Sequence, residues 1–339
     1  MRFLRPTVVL AALLFPTSWV SAQNATRTNG LFLTESLAGL RGKALDVAAH
    51  VVDENGKPRM AATLLSADGY FLTKASETPA FDKSALLLSD GTRGAIREIW
   101  RDKTRDIVLG HAAGLGTQRP LQMKPKADIG HATWLCALHG DKSEIRVGVA
   151  SANRRQIPGM GAALGIRMDP VAERQKSRNG VRIAGVATDS PAEAAGLQKN
   201  DILLEIEGEP VKQFENVREI VSRRLPGDEL VVRFRRDGHD NQVSVRLASR
   251  TKILANWDGE DYANGGVSLR TDGFPDIIQH DLPLNPGDMG GPLLDLEGNL
   301  VAINIARVDR VTTFALPLET FWKEVRAKIV ADRKSPSAN

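Results

Sequence analysis

Apolar and polar residues alternate in short blocks along most of the chain, and turn residues punctuate them. Ala44 to Val52 alternates loosely and stops at Asn55-Gly56. Ala61 to Thr73 holds Asp68-Gly69 between two apolar runs, and Ala85–Leu88 and Ala95–Trp100 flank Asp90-Gly91. Such pairs supply the positive φ angles of tight hairpin turns. Ile107–Leu109, Ala132–Leu138 and Ile145–Ala152 continue the strand grammar, until the polar stretch 153–160 interrupts it. Short strands at this spacing predict a barrel or sandwich and argue against a parallel sheet.

The pattern changes over residues 161–250. Ala162–Arg167 and Val181–Ala187 read as strands, on either side of polar 169–179. Ser190-Pro191-Ala192-Glu193 predicts a helix start, with a serine cap, proline at the first helical position and an acid in the first turn. Gly196 predicts its end. Asp201–Ile206 reads as a strand, and Phe214–Leu225 carries apolar residues at helical spacing up to Pro226-Gly227-Asp228. Leu230–Phe234 and Val243–Leu247 flank Asp237-Gly238 as a last hairpin. The block is expected to form its own α+β domain. After it strand grammar returns, with a glycine-rich stretch 288–295, a buried-type strand 299–306 and an amphipathic helix over 318–330.

Composition is that of a globular protein: 339 residues, 42% hydrophobic and 25% charged. With 45 basic and 41 acidic residues the chain lacks the basic excess of a nucleic-acid binder, and no nucleic-acid partner is expected. The opening reads as a signal peptide: Arg2 and Arg5, an apolar run from Val8 to Phe15, and small residues at Val20-Ser21-Ala22. Cleavage after Ala22 would export the protein, to the periplasm or beyond, with no membrane span left. Cys136, the single cysteine, excludes an intrachain disulfide. His50, His111, His131, His139 and His239 show no metal-ligand spacing, so neither a metal nor another cofactor is expected.

Three segments carry candidate chemistry: Gly69-Tyr70-Phe71-Leu72-Thr73-Lys74-Ala75-Ser76, Asp102-Lys103-Thr104-Arg105-Asp106-Ile107-Val108-Leu109, and Asn285-Pro286-Gly287-Asp288-Met289-Gly290-Gly291-Pro292-Leu293-Leu294. They resemble the HtrA family of exported trypsin-like serine proteases with PDZ domains. Members read Gly-Tyr-x-Leu-Thr-Asn-x-His, Asp-x-x-x-Asp-Leu-Ala-Val-Leu and Asn-Pro-Gly-Asn-Ser-Gly-Gly-Pro-Leu there. The resemblance implies a mostly β, trypsin-like double β-barrel, with triad positions at Ser76 (base), Asp106 (orienting acid) and Met289 (nucleophile). It also implies an oxyanion hole from the amides of Gly287 and Met289. Only Asp106 keeps the required chemistry. A serine hydroxyl is no base near neutral pH, and a thioether has no proton to lose. His280 and Asp281 are neighbours on a strand and face opposite ways, so they form no dyad. Cys136 sits in an apolar strand and reads as a core residue; a Cys–His pair would need one of the histidines nearby.

The block over 161–250 resembles a PDZ domain. Leu164-Gly165-Ile166 matches the carboxylate-binding turn, and Val217 and Val221 are expected to line the peptide groove while Ile220 and Leu225 face the core. The expected layout is 1–22 signal peptide, 23–127 first barrel, 128–157 with 252–330 second barrel, 158–251 inserted PDZ domain, and 331–339 disordered tail. These features point to an exported protease-like pseudoenzyme whose PDZ domain binds peptides or protein C-termini, in a scaffolding or chaperone-like role. The alternatives are an active HtrA-type endopeptidase with an unrecognised nucleophile, and a subunit modulating an active paralogue. Homo-oligomers or paralogue complexes are the expected assemblies.

Overall fold

The structure, a computed structural model, describes residues 35, 37–78, 81–115, 129–140, 144–168, 180–255 and 266–334. The expected signal segment 1–22 lies outside them. A helix, α1 (Ala38–Leu45), precedes six strands: β1 (Ala48–Val52), β2 (Pro58–Leu64), β3 (Tyr70–Lys74), β4 (Ala85–Leu88), β5 (Arg93–Asp102) and β6 (Ile107–Ala113). They close in the order β1-β2-β3-β6-β5-β4. The three hairpin signals of this region lie in the turns that join β1 to β2, β2 to β3 and β4 to β5. Phe71, Leu64, Leu86 and Val108 fill the interior, each almost fully buried.

The second sheet begins with β7 (Trp134–His139), β8 (Glu144–Val149) and β9 (Arg155–Ile157), the last within a stretch read as a break between strands. The chain then leaves for the inserted block, which contains β10 (Ala162–Ala163), β11 (Ile166–Met168), β12 (Val181–Val186), α2 (Pro191–Ala194), β13 (Ile202–Ile206), β14 (Glu209–Pro210), α3 (Phe214–Ser222), β15 (Glu229–Arg236), β16 (His239–Arg246) and β17 (Ala248–Ser249). The single strand expected over 162–167 is broken into β10 and β11, because Gly165 adopts φ +81° between them. Ser190 caps α2 as expected, its hydroxyl accepting from Glu193 N. The insert has a core of its own, with Ile183, Leu203, Ile206, Leu230, Val232 and Val245 at its centre.

A short helix, α4 (Arg250–Ala255), follows, then β18 (Phe274–His280), β19 (Pro292–Asp295), β20 (Leu300–Arg307) and β21 (Thr313–Pro317). The order β8-β7-β19-β20-β21-β18-β9 is closed by the end of β8, where Ala150 bridges His280 and Ser151 N donates to Gln279 O. The fold is mostly β and trypsin-like, with the insert carried on a hairpin. Ile157 pairs with Phe274, and Ala162 pairs with Ser249, so the block enters and leaves through adjacent strands.

The terminal helix, α5 (Trp322–Lys334), begins and ends four residues later than the hydrophobic pattern indicates. Tertiary anchoring accounts for its length: Asp332 accepts from Tyr70 and Arg97, and Arg333 donates to Asp68, all on the first barrel. The tail expected from 331 is therefore helical to Lys334, and 335–339 lie outside the described residues.

Candidate functional site

Ser76 follows β3 directly, and Asp106 precedes β6, its neighbour in the barrel. Asp106 receives Ser76 N at 2.7 Å on Oδ1 and the Ser76 hydroxyl at 2.8 Å on Oδ2. The same Oδ2 lies 3.0 Å from Lys74 Nζ. Lys74 is fully buried, and its ammonium also donates to Ile305 O at 2.6 Å and Arg270 O at 3.1 Å. Three acceptors match the three protons of an ammonium, so Lys74 offers Ser76 no lone pair. The acid that would orient an imidazole instead neutralises a buried cation. Glu77 lies 3.8 Å from Lys74 Nζ and accepts Leu269 N at 2.6 Å. Burial pushes the Glu77 carboxyl above its usual range, against the pull of Lys74.

The inserted domain roofs this cluster. Gly227, in the turn before β15, has φ +92°, and a Cβ there would come within 2.6 Å of Ser76 Cβ. Beside it Asp228 accepts Lys103 Nζ at 2.8 Å. That pair and the Leu225 amide hold the Asp228 carboxyl below its usual range in spite of partial burial. No position corresponding to Gly227 over Ser76 is visible in sequence order, since the two are far apart in the chain.

Met289 ends a short 3₁₀ turn (Pro286–Asp288) and is fully buried among Met60, Leu135, Ile278, Leu284 and Leu293. An unbranched thioether suits such an irregular apolar gap. The expected oxyanion pair is not presented as two open donors, because Met289 N donates to Pro286 O at 3.2 Å. The loop is brought to the cluster by Gly290, whose carbonyl accepts the Thr63 hydroxyl at 2.8 Å; a Cβ on Gly290 would lie 3.0 Å from Lys74 N. Sequence reasoning missed His139. Its Nδ1 donates to Asp288 Oδ2 at 2.7 Å, while Gly140 N reaches Oδ1 at 2.8 Å. The only sequence signal was an acid immediately before Met289.

Of the other candidates, His280 is fully buried, with Nε2 donating to Asn304 Oδ1 at 2.9 Å and Nδ1 facing Leu282 N. Burial pulls its pKa down to about 4, so the ring is neutral. Asp281 instead accepts Val149 N, on the other side of the strand. Cys136 is buried in β7, and desolvation, helped by Asp295, pushes its thiol up to about 12. Such a thiol is no nucleophile near neutral pH.

In the insert, β11 is the edge strand of the sheet and pairs with β12 from Ile166. Leu164 O and Gly165 O are taken by Ala192 N and Ala187 N. Val217 and Val221, expected along the groove, are buried with Ile220 in the insert's core. Leu225, expected in that core, is 41% exposed, because α3 stops at Ser222 and the chain turns away.

Residues 162–247 match the PDZ domain family. A DegP-like periplasmic serine endoprotease of Marinomonas sp. is 36% identical over 72 residues, 21% of this chain and 15% of that protein. A DegP-like periplasmic serine endoprotease of Bartonella henselae is 22% identical over 202 residues, 52% of this chain and 38% of that protein. The chain thus spans well under half the length of these curated relatives. Among solved structures, the HtrA-type protease AlgW with decapeptide overlays 63% of this chain and 98% of its own at 15% identity and TM-score 0.30. Among the described residues no helix is long and apolar enough to cross a membrane. Residues 162–247 are thus a PDZ domain, and parts of the chain are similar to DegP-like periplasmic serine endoproteases.

Proposed function

We propose that this protein is exported, binds polypeptide segments through its PDZ domain, and does not hydrolyse them. The observation that supports this most directly is the use of Asp106. Its carboxylate holds a serine hydroxyl and a lysine ammonium, where proteolysis needs an imidazole between acid and nucleophile. The burial of Met289 and the Gly227 turn over Ser76 favour the same reading. An endopeptidase with another nucleophile finds no support at Cys136, whose thiol is held protonated. The PDZ boundaries of 158–251 and the export signal of 1–22 are part of the proposal, as is strand addition of a ligand C-terminus along β11.

The test is digestion of unfolded casein by purified mature protein, with a fluorophosphonate probe in parallel. The expected result is no cleavage above background and no labelling. Turnover that disappears when a residue of this chain is substituted would overturn the proposal.

A further inference from the structure

The segment that returns from the insert to β18 is irregular yet buried. Val267, Ser268, Arg270, Thr271 and Asp272 are each less than a tenth exposed. Irregular backbone normally stays at the surface, because buried amides and carbonyls need partners. Here the partners come from three directions. β19 covers β20 only as far as Ile303, and Gly290 and Gly291 exchange hydrogen bonds with Asn304. Beyond that point the segment takes over the edge: Ser268 N donates to Arg307 O at 3.0 Å, Arg307 N donates to the Ser268 hydroxyl at 3.1 Å, and the Arg307 guanidinium donates to Gly266 O. From the first barrel, Glu77 accepts Leu269 N and Lys74 donates to Arg270 O. From the insert, Ser249 N donates to Leu269 O at 2.7 Å.

The side chain of Arg270 behaves as an anchor. It stacks 4.8 Å over Phe274 and donates to the carbonyls of Lys103 and Thr104 on the first barrel, and to those of Asp272 and Gly273. A planar, five-donor group satisfies such a ring of carbonyls as no other side chain does. Gly266 also reaches the Met289 loop, since a Cβ there would lie 3.2 Å from Pro286 Cγ. The segment, bent at Leu269 and Asp272, therefore runs past all three triad-equivalent elements.

We propose that residues 266–272 are an internal ligand: they fill a polypeptide-binding cleft between the barrels, and a peptide carrying arginine at the anchor position can replace them. This site is separate from the PDZ groove. It recognises backbone on the β20 edge and a guanidinium among carbonyls, with no role for a free C-terminus.

The probe is a fluorescent peptide of sequence Gly-Val-Ser-Leu-Arg-Thr-Asp-Gly-Phe, blocked at both ends so that it offers the PDZ domain no carboxylate. It is titrated into the full mature chain, into Arg270→Ala, and into Ser268→Ala. Weakening the internal occupant raises the fraction of open cleft, so each folded variant should bind the probe about tenfold tighter than wild type. Hydrogen exchange at the Ser268 and Leu269 amides should rise when the probe is added to wild type. A probe with alanine in place of arginine should lose at least tenfold. If Arg270→Ala does not unfold cooperatively, Ser268→Ala decides. Equal affinity for wild type and folded variants, or no binding to any of them, makes the segment a structural filler and overturns the proposal.

Discussion

Gly227 rests on Ser76 so closely that a Cβ on the glycine would come within 2.6 Å of the serine Cβ. The turn of the inserted block and the first barrel thus meet at Ser76, the position that the sequence resemblance pairs with the HtrA histidine, and Ser76 serves there as packing surface. Restoring catalytic residue types there must contend with that contact and with Lys74 on Asp106.

Reversion should therefore fail. Ser76→His combined with Met289→Ser supplies the missing residue types, but the imidazole meets the Gly227 backbone and Asp106 Oδ2 is already shared with Lys74. Overpacking of this kind costs about 1–3 kcal/mol. The double variant should melt earlier than wild type and stay unlabelled by fluorophosphonate. Labelling of the double variant above the level of a Ser76→His, Met289→Ala control would show that the site is merely mutated, with its geometry intact.

Glu77 gives a pH dependence of defined sign. Its folded pKa is raised by burial, so the native state holds a proton that the unfolded chain releases sooner. Stability linked to this group falls as pH rises from the ordinary value of 4.5 through the raised one. Glu77→Gln keeps an acceptor for Leu269 N and removes the titration. Urea unfolding at steps across that window should show the variant gaining on wild type as pH rises. A difference that stays constant with pH would place the raised pKa elsewhere.

His280 acts with the opposite slope. Its pKa is about 4 in the fold against 6.5 ordinarily, so the unfolded chain takes up a proton that the native state refuses. The linked stability is complete above the ordinary value and is lost as pH falls towards the lowered one, on the order of 3 kcal/mol in total. His280→Gln should be less stable than wild type at neutral pH, and the gap should narrow on the acid side. A gap that widens in acid would be incompatible with a neutral, buried ring.

The PDZ domain should fold and bind by itself. Its core cluster draws every member from residues 162–247, so a fragment spanning 158–251 carries a complete core. A peptide with a free apolar C-terminus should bind that fragment at least about tenfold better than its amidated form, because charge-assisted bonds to the carboxylate are lost. Val217→Lys should unfold the fragment, since Val217 is buried in that core. Calorimetry on the two peptides checks the first claim, and equal affinities would exclude C-terminal recognition.

Local chemistry alone determined much of this protein. The Asp68-Gly69 and Asp90-Gly91 turns and the Ser190 cap depend on neighbours a few residues away, and all are legible in the chain. That the Ser76 hydroxyl and the Met289 thioether supply neither a base nor a nucleophile near neutral pH was equally plain, because residue identity fixes whether a proton can be moved. Tertiary structure alone decided what surrounds them. Lys74 finds acceptors on Arg270 and Ile305, 196 and 231 positions away, and Ser76 finds Gly227 across a domain boundary. Helical spacing pointed Val217 and Val221 to the groove and Ile220 and Leu225 to the core, yet Val217, Ile220 and Val221 share the core and Leu225 is exposed, because the chain turns outward after Ser222. The physical reason is common to all three cases. Turns and caps are satisfied by hydrogen bonds within one or two turns of chain, whereas a buried cation, an irregular buried segment or a side chain beyond a helix end is placed by whichever distant surface can satisfy it.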